Sequence, residues 1–424
     1  MAKTYDTYKD SGIAWIGEIP GEWEVLPHKR VMKKIKEIQE HYQGEDIISL
    51  TINGVIIRDL EAGGKMPTTF DGYQKVYPGN LLQCLFDIDV TPRCVGLIKN
   101  EGVSSPAYIQ FEMLPKAESS YYDYLLRYMD DNKTLLHLSK NLRSSITESD
   151  FGQISTIRPP LSVQQSISSF LDTKCGEIDS LISIQEEMIS ELLAYKQSVI
   201  TEAVTKGLDK KAKMKNSGVE WIGDIPEEWE VTKIKRVADT TSGSTPRSIS
   251  NTSDSTIKWF RTTDINENIV SDSPIHLTKE EFSSASCPLL KPNTCLVAMY
   301  GGAGTIGKYG MLSEEATINQ ALCSIYSHER MYSKYIFFLL KALRPYWMKY
   351  ASGTRKDPNI NQEIVRNMLI PVPPLPVQQA IATYLDEKTF QIDSLIALKQ
   401  SKIESLKEYK KSIIYEYVTG KKRV

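Results

Sequence analysis

Two stretches of the chain carry apolar residues at the alternating three-and-four spacing of a single helical face. One row reads Ile396, Lys399, Ile403, Leu406, Lys410, Ile413, Tyr417; an earlier one reads Ile182, Gln185, Ile189, Leu192, Lys196, Val199, Ala203. Five of seven positions are apolar in each row, and the polar interruptions fall at the same two places, which is the mark of a heptad seam. From Glu177 to Thr205 the seam covers roughly 43 Å of helix. A striped helix of that length needs a partner, and the partner predicted here is its own copy. Ile182, Ile189, Leu192 and Val199 would pack against Ile396, Ile403, Leu406 and Ile413. The seam alone leaves parallel and antiparallel pairing open. Pro159-Pro160 and Pro373-Pro374 stand ahead of the two rows and cannot lie inside a helix.

Between these helices the pattern changes. Strand-like runs occur at Asp46–Ile52, Asn80–Phe86, Ala107–Phe111, Thr294–Tyr300 and Ala321–Tyr326, often after Gly, Pro or Asn. Helical runs occur at Tyr121–Met129 and Tyr332–Leu343. The mixture predicts an α+β class for two globular α/β blocks.

The blocks sit in a frame that is written twice. Residues 11–31, SGIAWIGEIPGEWEVLPHKRV, return as SGVEWIGDIPEEWEVTKIKRV at 217–237, with 14 of 21 positions identical at an offset of 206. Residues 159–172, PPLSVQQSISSFLD, return as PPLPVQQAIATYLD at 373–386, an offset of 214. The blocks inside the frame, about 32–158 and 238–372, share only scattered Gly and apolar positions. Such a frame suits one scaffold presenting two different surfaces, and equally a duplicated structural domain whose inserts have drifted. The predicted organisation is 1–158 (opening motif and first block), 159–210 (first helix), 211–372 (opening motif and second block) and 373–424 (second helix).

Composition narrows the function. The 424 residues carry 51 Lys+Arg against 53 Asp+Glu, so a polycationic nucleic-acid coat is excluded and only a local basic face is open. Six cysteines without a CxxC pair make a disulfide framework or Cys-rich zinc site unexpected. No apolar run reaches the ~20 residues of a membrane span, and the first residues hold no apolar stretch; a cytoplasmic protein with no membrane partner is expected.

Catalytic signatures are missing. There is no G-x-S-x-G, no H-E-x-x-H, no Pro-Asp dipeptide and no Asn/Asp-Pro-Pro-aromatic stretch. The five histidines (28, 41, 137, 276, 328) show no metal-ligand spacing. Gly302-Ala303-Gly304-Thr305-Ile306-Gly307-Lys308 matches both GxGxxG and GxxxxGK. A P-loop needs Ser or Thr after the lysine, but Tyr309 stands there and no helical pattern follows. A glycine-rich turn between strands is expected instead.

The repeated Trp-Ile-Gly-x-Ile-Pro-x-x-Trp-x-Val (Trp15–Val25, Trp221–Val231) and Pro-Pro-Leu-x-x-Gln-Gln (Pro159–Gln165, Pro373–Gln379) motifs carry a resemblance. In their order and double occurrence the chain resembles the specificity subunit of type I restriction-modification systems. The resemblance implies two target recognition domains, each reading one half of a bipartite site in double-stranded DNA. It implies two long spacer helices forming an antiparallel coiled coil with pseudo-two-fold internal symmetry. It implies two modification (methyltransferase) subunits and ATP-dependent restriction subunits as partners. S-adenosylmethionine, ATP and magnesium would then reside on the partners, with no cofactor on this chain and no chemistry of its own.

Base reading calls for Arg, Lys, Asn or Gln at groove edges, and phosphates for basic groups and hydroxyls. Such groups concentrate before each Pro-Pro: Lys140, Asn141, Arg143 and Ser144 in the first block, and Thr354, Arg355, Lys356, Asn359 and Asn361 in the second. Arg58, Lys65 and Arg93, with Arg247, Arg261 and Lys308, are the further DNA-contact candidates.

Overall fold

The computed structural model describes residues 4–61, 67–91, 93–138, 144–250, 252–301, 304–353 and 358–424. It divides into two compact units. The first comprises Met1–Gln185 with Gln400–Val424, and the second Glu186–Lys399. Both unit boundaries fall within long helices, so each unit combines one block with segments of both repeats.

In the first unit, β1 (Glu24–Pro27) leads into β2 (Met32–Ile35), β3 (Leu81–Gln83), β4 (Val95–Leu97) and β5 (Ile109–Met113). Helix α1 (Ser119–Asp131) follows, then β6 (Ser155–Arg158) and α2 (Leu161–Lys206). The sheet order is β2-β5-β3-β4, all antiparallel, and β6 pairs with β1.

In the second unit the chain passes through β7 (Glu230–Lys233), β8 (Ala238–Ser242), β9 (Ile257–Phe260), β10 (Ile269–Val270), β11 (Cys295–Ala298) and β12 (Tyr309–Leu312). It continues through β13 (Thr317–Ile318), β14 (Leu322–Ser327), α3 (Ser333–Leu343), β15 (Leu369–Val372) and α4 (Leu375–Val418). The sheet order is β8-β14-β11-β12, again antiparallel, with β10 added in parallel at the edge. Two blocks with little sequence in common therefore build the same four-stranded core sheet. Every predicted strand and helix is present; three of the five strands are shorter than the apolar runs suggested, and Ile109–Met113 and Leu322–Ser327 are shifted by one or two residues.

The repeated motifs hold these units together. Trp23 and Trp229 are buried. Each meets a helix end that turns off through a left-handed glycine, Gly420 (φ 74°) in the first unit and Gly207 (φ 76°) in the second. A Cβ on Gly420 would stand 2.4 Å from Pro20 Cδ, and one on Gly207 would stand 3.0 Å from Trp229. Only glycine allows both the dihedral and the approach. The motif glutamines are wholly buried and make matching bonds. Gln164 accepts from the Glu118 N–H (2.8 Å) and donates to the carbonyls of Lys116 (2.9 Å) and Pro159 (2.7 Å). Gln378 accepts from the Tyr332 N–H (2.8 Å) and donates to Arg330 (2.9 Å) and Pro373 (2.8 Å). Each glutamine thus fixes the start of its block's helix, satisfying backbone groups that a helix N-terminus leaves orphaned. At the other end, the buried Tyr121 hydroxyl donates to Val418 O (2.7 Å) and the Tyr335 hydroxyl to Val204 O (2.9 Å).

Helix α2 has 46 residues and α4 has 44, so both begin directly after Pro-Pro, well ahead of the heptad row. Their orientation is antiparallel within each unit. In the first, Phe170 packs on Tyr417 (ring centroids 4.4 Å apart), and further along α2 Asp179 meets the earlier residue Lys410 at 2.6 Å. In the second, Met188 Sδ accepts from Lys399 (3.2 Å), and Lys196 meets the earlier residue Asp393 at 2.5 Å. The seam lysines explain the direction. In-register parallel pairing would set Lys196 against Lys410, whereas antiparallel pairing gives each an aspartate. Of the predicted seam residues, Ile396, Ile403, Leu406 and Ile413 are buried, while Ile182, Ile189, Leu192 and Val199 are half-buried.

The first unit's core gathers Ile16, Trp23, Tyr121, Leu125 and Leu171 with Ile413, Ile414 and Val418 from the end of α4. The second gathers Trp221, Trp229, Tyr335, Leu339 and Leu385 with Ile200 and Val204 from the end of α2. Of the two opening motifs, the first carries His28 where the second has Ile234, and both are buried. The His28 ring stacks on Phe151 at 4.5 Å and 7°. Burial pushes its pKa down to about 4.

Two predictions follow from this packing. Asp393→Asn leaves Lys196 facing Lys341, which burial and Lys196 together push down to about 8. The pair is partly exposed and screened, so the second unit should lose roughly 1 kcal/mol. The swap Lys196→Glu with Asp393→Lys should recover most of it in a double-mutant cycle. For His28 the unfolded state takes up a proton near pH 6.5 that the folded state refuses until about pH 4. Its neutral burial is therefore without penalty above pH 6.5, and stability falls as pH drops from 6.5 towards 4, by about 3 kcal/mol in full. His28→Phe should flatten that limb in urea unfolding curves of the first unit.

Candidate nucleic-acid interface

The C-terminal ends of β8, β9 and β11 and the starts of β12 and β14 lie at one end of the second unit's sheet, and the loops there are laced together. The Met299 N–H donates to Ala321 O (2.8 Å), Ile360 N–H to Met299 O (2.8 Å), Ser244 N–H to Ile318 O (3.0 Å) and Asn319 N–H to Phe260 O (2.9 Å). Gly243 is required, because a Cβ would stand 1.8 Å from Ile318 O. Trp259 Nε1 donates to Ser244 O (3.0 Å). The loops bring Thr245, Arg261, Thr262, Tyr300, Lys308 and Gln320 to this end. The Thr245 hydroxyl donates to Gln320. Hydroxyls, an amide and basic groups with both donor and acceptor capacity are the side chains that read base edges and hold phosphates.

The first unit repeats the lacing. Cys84 N–H donates to Cys94 O (2.7 Å), Ile146 N–H to Leu85 O (2.9 Å) and Ile88 N–H to Ser144 O (3.1 Å). Ile146 on Leu85 and Ile360 on Met299 occupy the same place in the two repeats, so the segments before each Pro-Pro are anchored alike. Phe86 is exposed and stacks on Tyr108 (6.3 Å, 14°).

The individual candidates divide. Lys65, Lys140, Asn141, Arg143, Thr354, Arg355 and Lys356 lie outside the described residues. Ser144 has φ 46° and offers its carbonyl to Ile88. Arg247 is exposed in the loop after β8, and Asn359 is exposed beside Ile360. Arg58 is half-buried after the hairpin Ile48–Thr51/Gly54–Ile57, with its N–H on Ile47 O (2.7 Å). Arg93 is half-buried: it lines a cleft of about 450 Å³ with Lys99, Asp123, Arg127 and Asp172, and its Nε is buried. Arg261 is engaged by Asp264 through Nε and Nη2, both at 3.0 Å, which raises its pKa. Asn361 caps the short helix Gln362–Asn367, its Oδ1 accepting from the Ile364 N–H (2.9 Å). Thr147 does the same for Glu148–Gln153 in the first unit.

Lys308 is half-buried at the start of β12. The glycine-rich segment therefore joins two antiparallel strands, as the sequence suggested, where a P-loop would run into a helix. Gly307 has φ 73° and packs on Trp347, which a Cβ would reach at 2.2 Å. Among the described residues no His/Cys/Asp/Glu group is placed to hold a metal, and no helix is long and apolar enough to cross a membrane. Sequence reading missed Thr245, Gln320 and Tyr300, which sit in ordinary polar loops with no motif; only the strand ends mark them.

The two units thus share one α/β frame with antiparallel helix segments and differ in their loop ends. The family model for the type I restriction modification DNA specificity domain matches residues 226–418. A chain of Methanocaldococcus jannaschii provisionally named the type I restriction enzyme MjaX specificity subunit is 24% identical over 96% of both chains. The EcoR124I/EcoR124II specificity subunit of Escherichia coli is 22% identical, covering 69% of this chain and 72% of its own length. Among solved structures, a chain from a type I R-M system superposes with a TM-score of 0.73 at 16% identity, over 94% of this chain and 98% of its own. The HsdS subunit of Thermoanaerobacter tengcongensis gives 0.53 at 16% identity, over 95% and 98%. Residues 226–418 thus match the type I specificity domain, and the chain as a whole is similar to type I restriction-modification specificity subunits.

The Asn361 cap gives a direct check. Asn361→Ala should cost about 1 kcal/mol of second-unit stability, and Asn361→Asp should keep it. Unchanged thermal unfolding in the alanine variant would show that the side chain serves something other than the helix.

Proposed function

We propose that each unit reads its own half of a bipartite duplex target through the loops at its sheet end. The observation that carries this is the pairing of unlike loops with like frames. Two blocks with little shared sequence have the same strand order and the same Leu85–Ile146 and Met299–Ile360 anchors, yet present different side chains.

The paired helices serve as the docking surface for two modification subunits, with restriction subunits joining that assembly. S-adenosylmethionine, ATP and magnesium belong to those partners, and this chain supplies the address. The outward faces of α2 and α4 support the docking role, with Leu193, Tyr195, Phe390 and Leu398 all more than half exposed.

Exchange of residues 238–372 for the corresponding block of another family member tests the reading. The hybrid, co-expressed with modification subunits, should methylate a motif with one half changed and the other kept, as read by methylome sequencing. A motif changed in both halves, or in neither, contradicts one half-site per unit.

A further inference from the structure

We propose that a charged clamp at the C-terminal end of each block's helix positions one loop, β3–β4 in the first unit and β11–β12 in the second, and thereby sets how strictly that unit reads its half-site. The inference rests on the reading that these loops face DNA.

In the second unit the clamp is Arg344, directly after α3. Its Nε donates to Glu267 Oε1 (3.1 Å), Nη2 to Gly304 O (2.7 Å) and Nη1 to Ile306 O. One planar guanidinium thus ties two carbonyls of the β11–β12 loop to Glu267. That residue is itself fixed, with φ 60°, its N–H on Tyr309 O (3.0 Å) and its carboxylate accepting from the Tyr309 hydroxyl (3.4 Å). Three donors in a rigid fork match this arrangement, and a lysine ammonium does not.

In the first unit the corresponding residue is Asp130, in the last turn of α1 and buried. Its Oδ2 accepts from the Cys94 N–H (2.7 Å), closing the β3–β4 loop. Lys133, just beyond the helix with φ 51°, donates to Ile88 O (3.2 Å) and Thr91 O (3.0 Å) in the same loop and lies 3.5 Å from Asp130 Oδ1. The two clamps occupy the same place in the repeat and grip the corresponding loop with different residues. One holds carbonyls with a guanidinium; the other holds an N–H with a carboxylate and carbonyls with an ammonium. A shared packing requirement would have kept one residue type. What the two have in common is the task of fixing a loop whose own sequence differs. A loop fixed before binding spends less conformational entropy on ordering and discriminates more sharply, because a wrong base cannot be met by rearrangement.

The test uses the full chain assembled with modification subunits. Arg344→Met should relax methylation only in the half-site assigned to the second unit, cutting discrimination against single-base changes there by about tenfold. Arg344→Lys should fall between it and the parent. Lys133→Met, at a partly exposed side chain, should relax only the other half. Complexes that assemble normally with both halves read at parental stringency, or with both halves relaxed together, overturn the clamp. Tyr300→Ala and Thr305→Ala separate the two levels. If these leave the second half-site untouched, the loop does not read DNA and the underlying reading fails. If they alter it while Arg344→Met does not, only the clamp fails.

Discussion

Neither block completes its main hydrophobic core alone. Each requires the end of the helix that leads out of the other repeat. In the first unit that means residues nearly the whole chain apart: Val418 accepts from Tyr121, and Gly420 packs on Pro20 and Trp23. Burial of Ile413, Ile414 and Val418 contributes roughly 1.5–3 kcal/mol per side chain, so this contact is central to the unit's stability. The second unit makes the same contact with Ile200, Val204 and Gly207. Once both helix ends are bound in this way, the helices must run in opposite senses along their seam.

Charge then enforces the direction that packing allows. Lys196 and Lys410 interrupt a largely apolar row, and a half-buried ammonium is better placed beside a carboxylate than beside another lysine. Antiparallel pairing gives Lys196 and Lys410 the aspartates Asp393 and Asp179, while the alternative brings like charges together. The same two residues in each helix thus serve stability and register at once. The loops at the sheet ends carry none of these duties, which leaves their side chains free to differ between the units.

Much of this was legible in the sequence. The duplicated frame, the seam positions, the α+β blocks and the strand character around Gly302–Lys308 all follow from spacing and turn residues. Antiparallel pairing was also legible in principle, through the aspartate and lysine that recur in both helices, but a seam read for apolar positions alone does not register them. The loop ends were harder. Arg261 and Asn361 look like free polar groups in sequence, yet one is bound by Asp264 and the other caps a helix. Arg93 lines a cleft beside Asp123 and Asp172. Thr245, Tyr300 and Arg344 gain their positions only from strand order, which joins segments far apart along the chain and leaves no local signal. The motif glutamines were visible as repeats, but their work, bracketing a helix start from across the unit, was not.

The dependence of the first unit on the chain's last helical turn can be measured directly. Gly420→Val forces a Cβ into Pro20 and abolishes the left-handed turn. Hydrogen exchange followed by mass spectrometry on the variant should show protection lost across Ser119–Asp131 and retained across Ser333–Leu343. Equal protection of both helices, at the level of the parent chain, would contradict the account that each unit is completed by the other repeat's helix end.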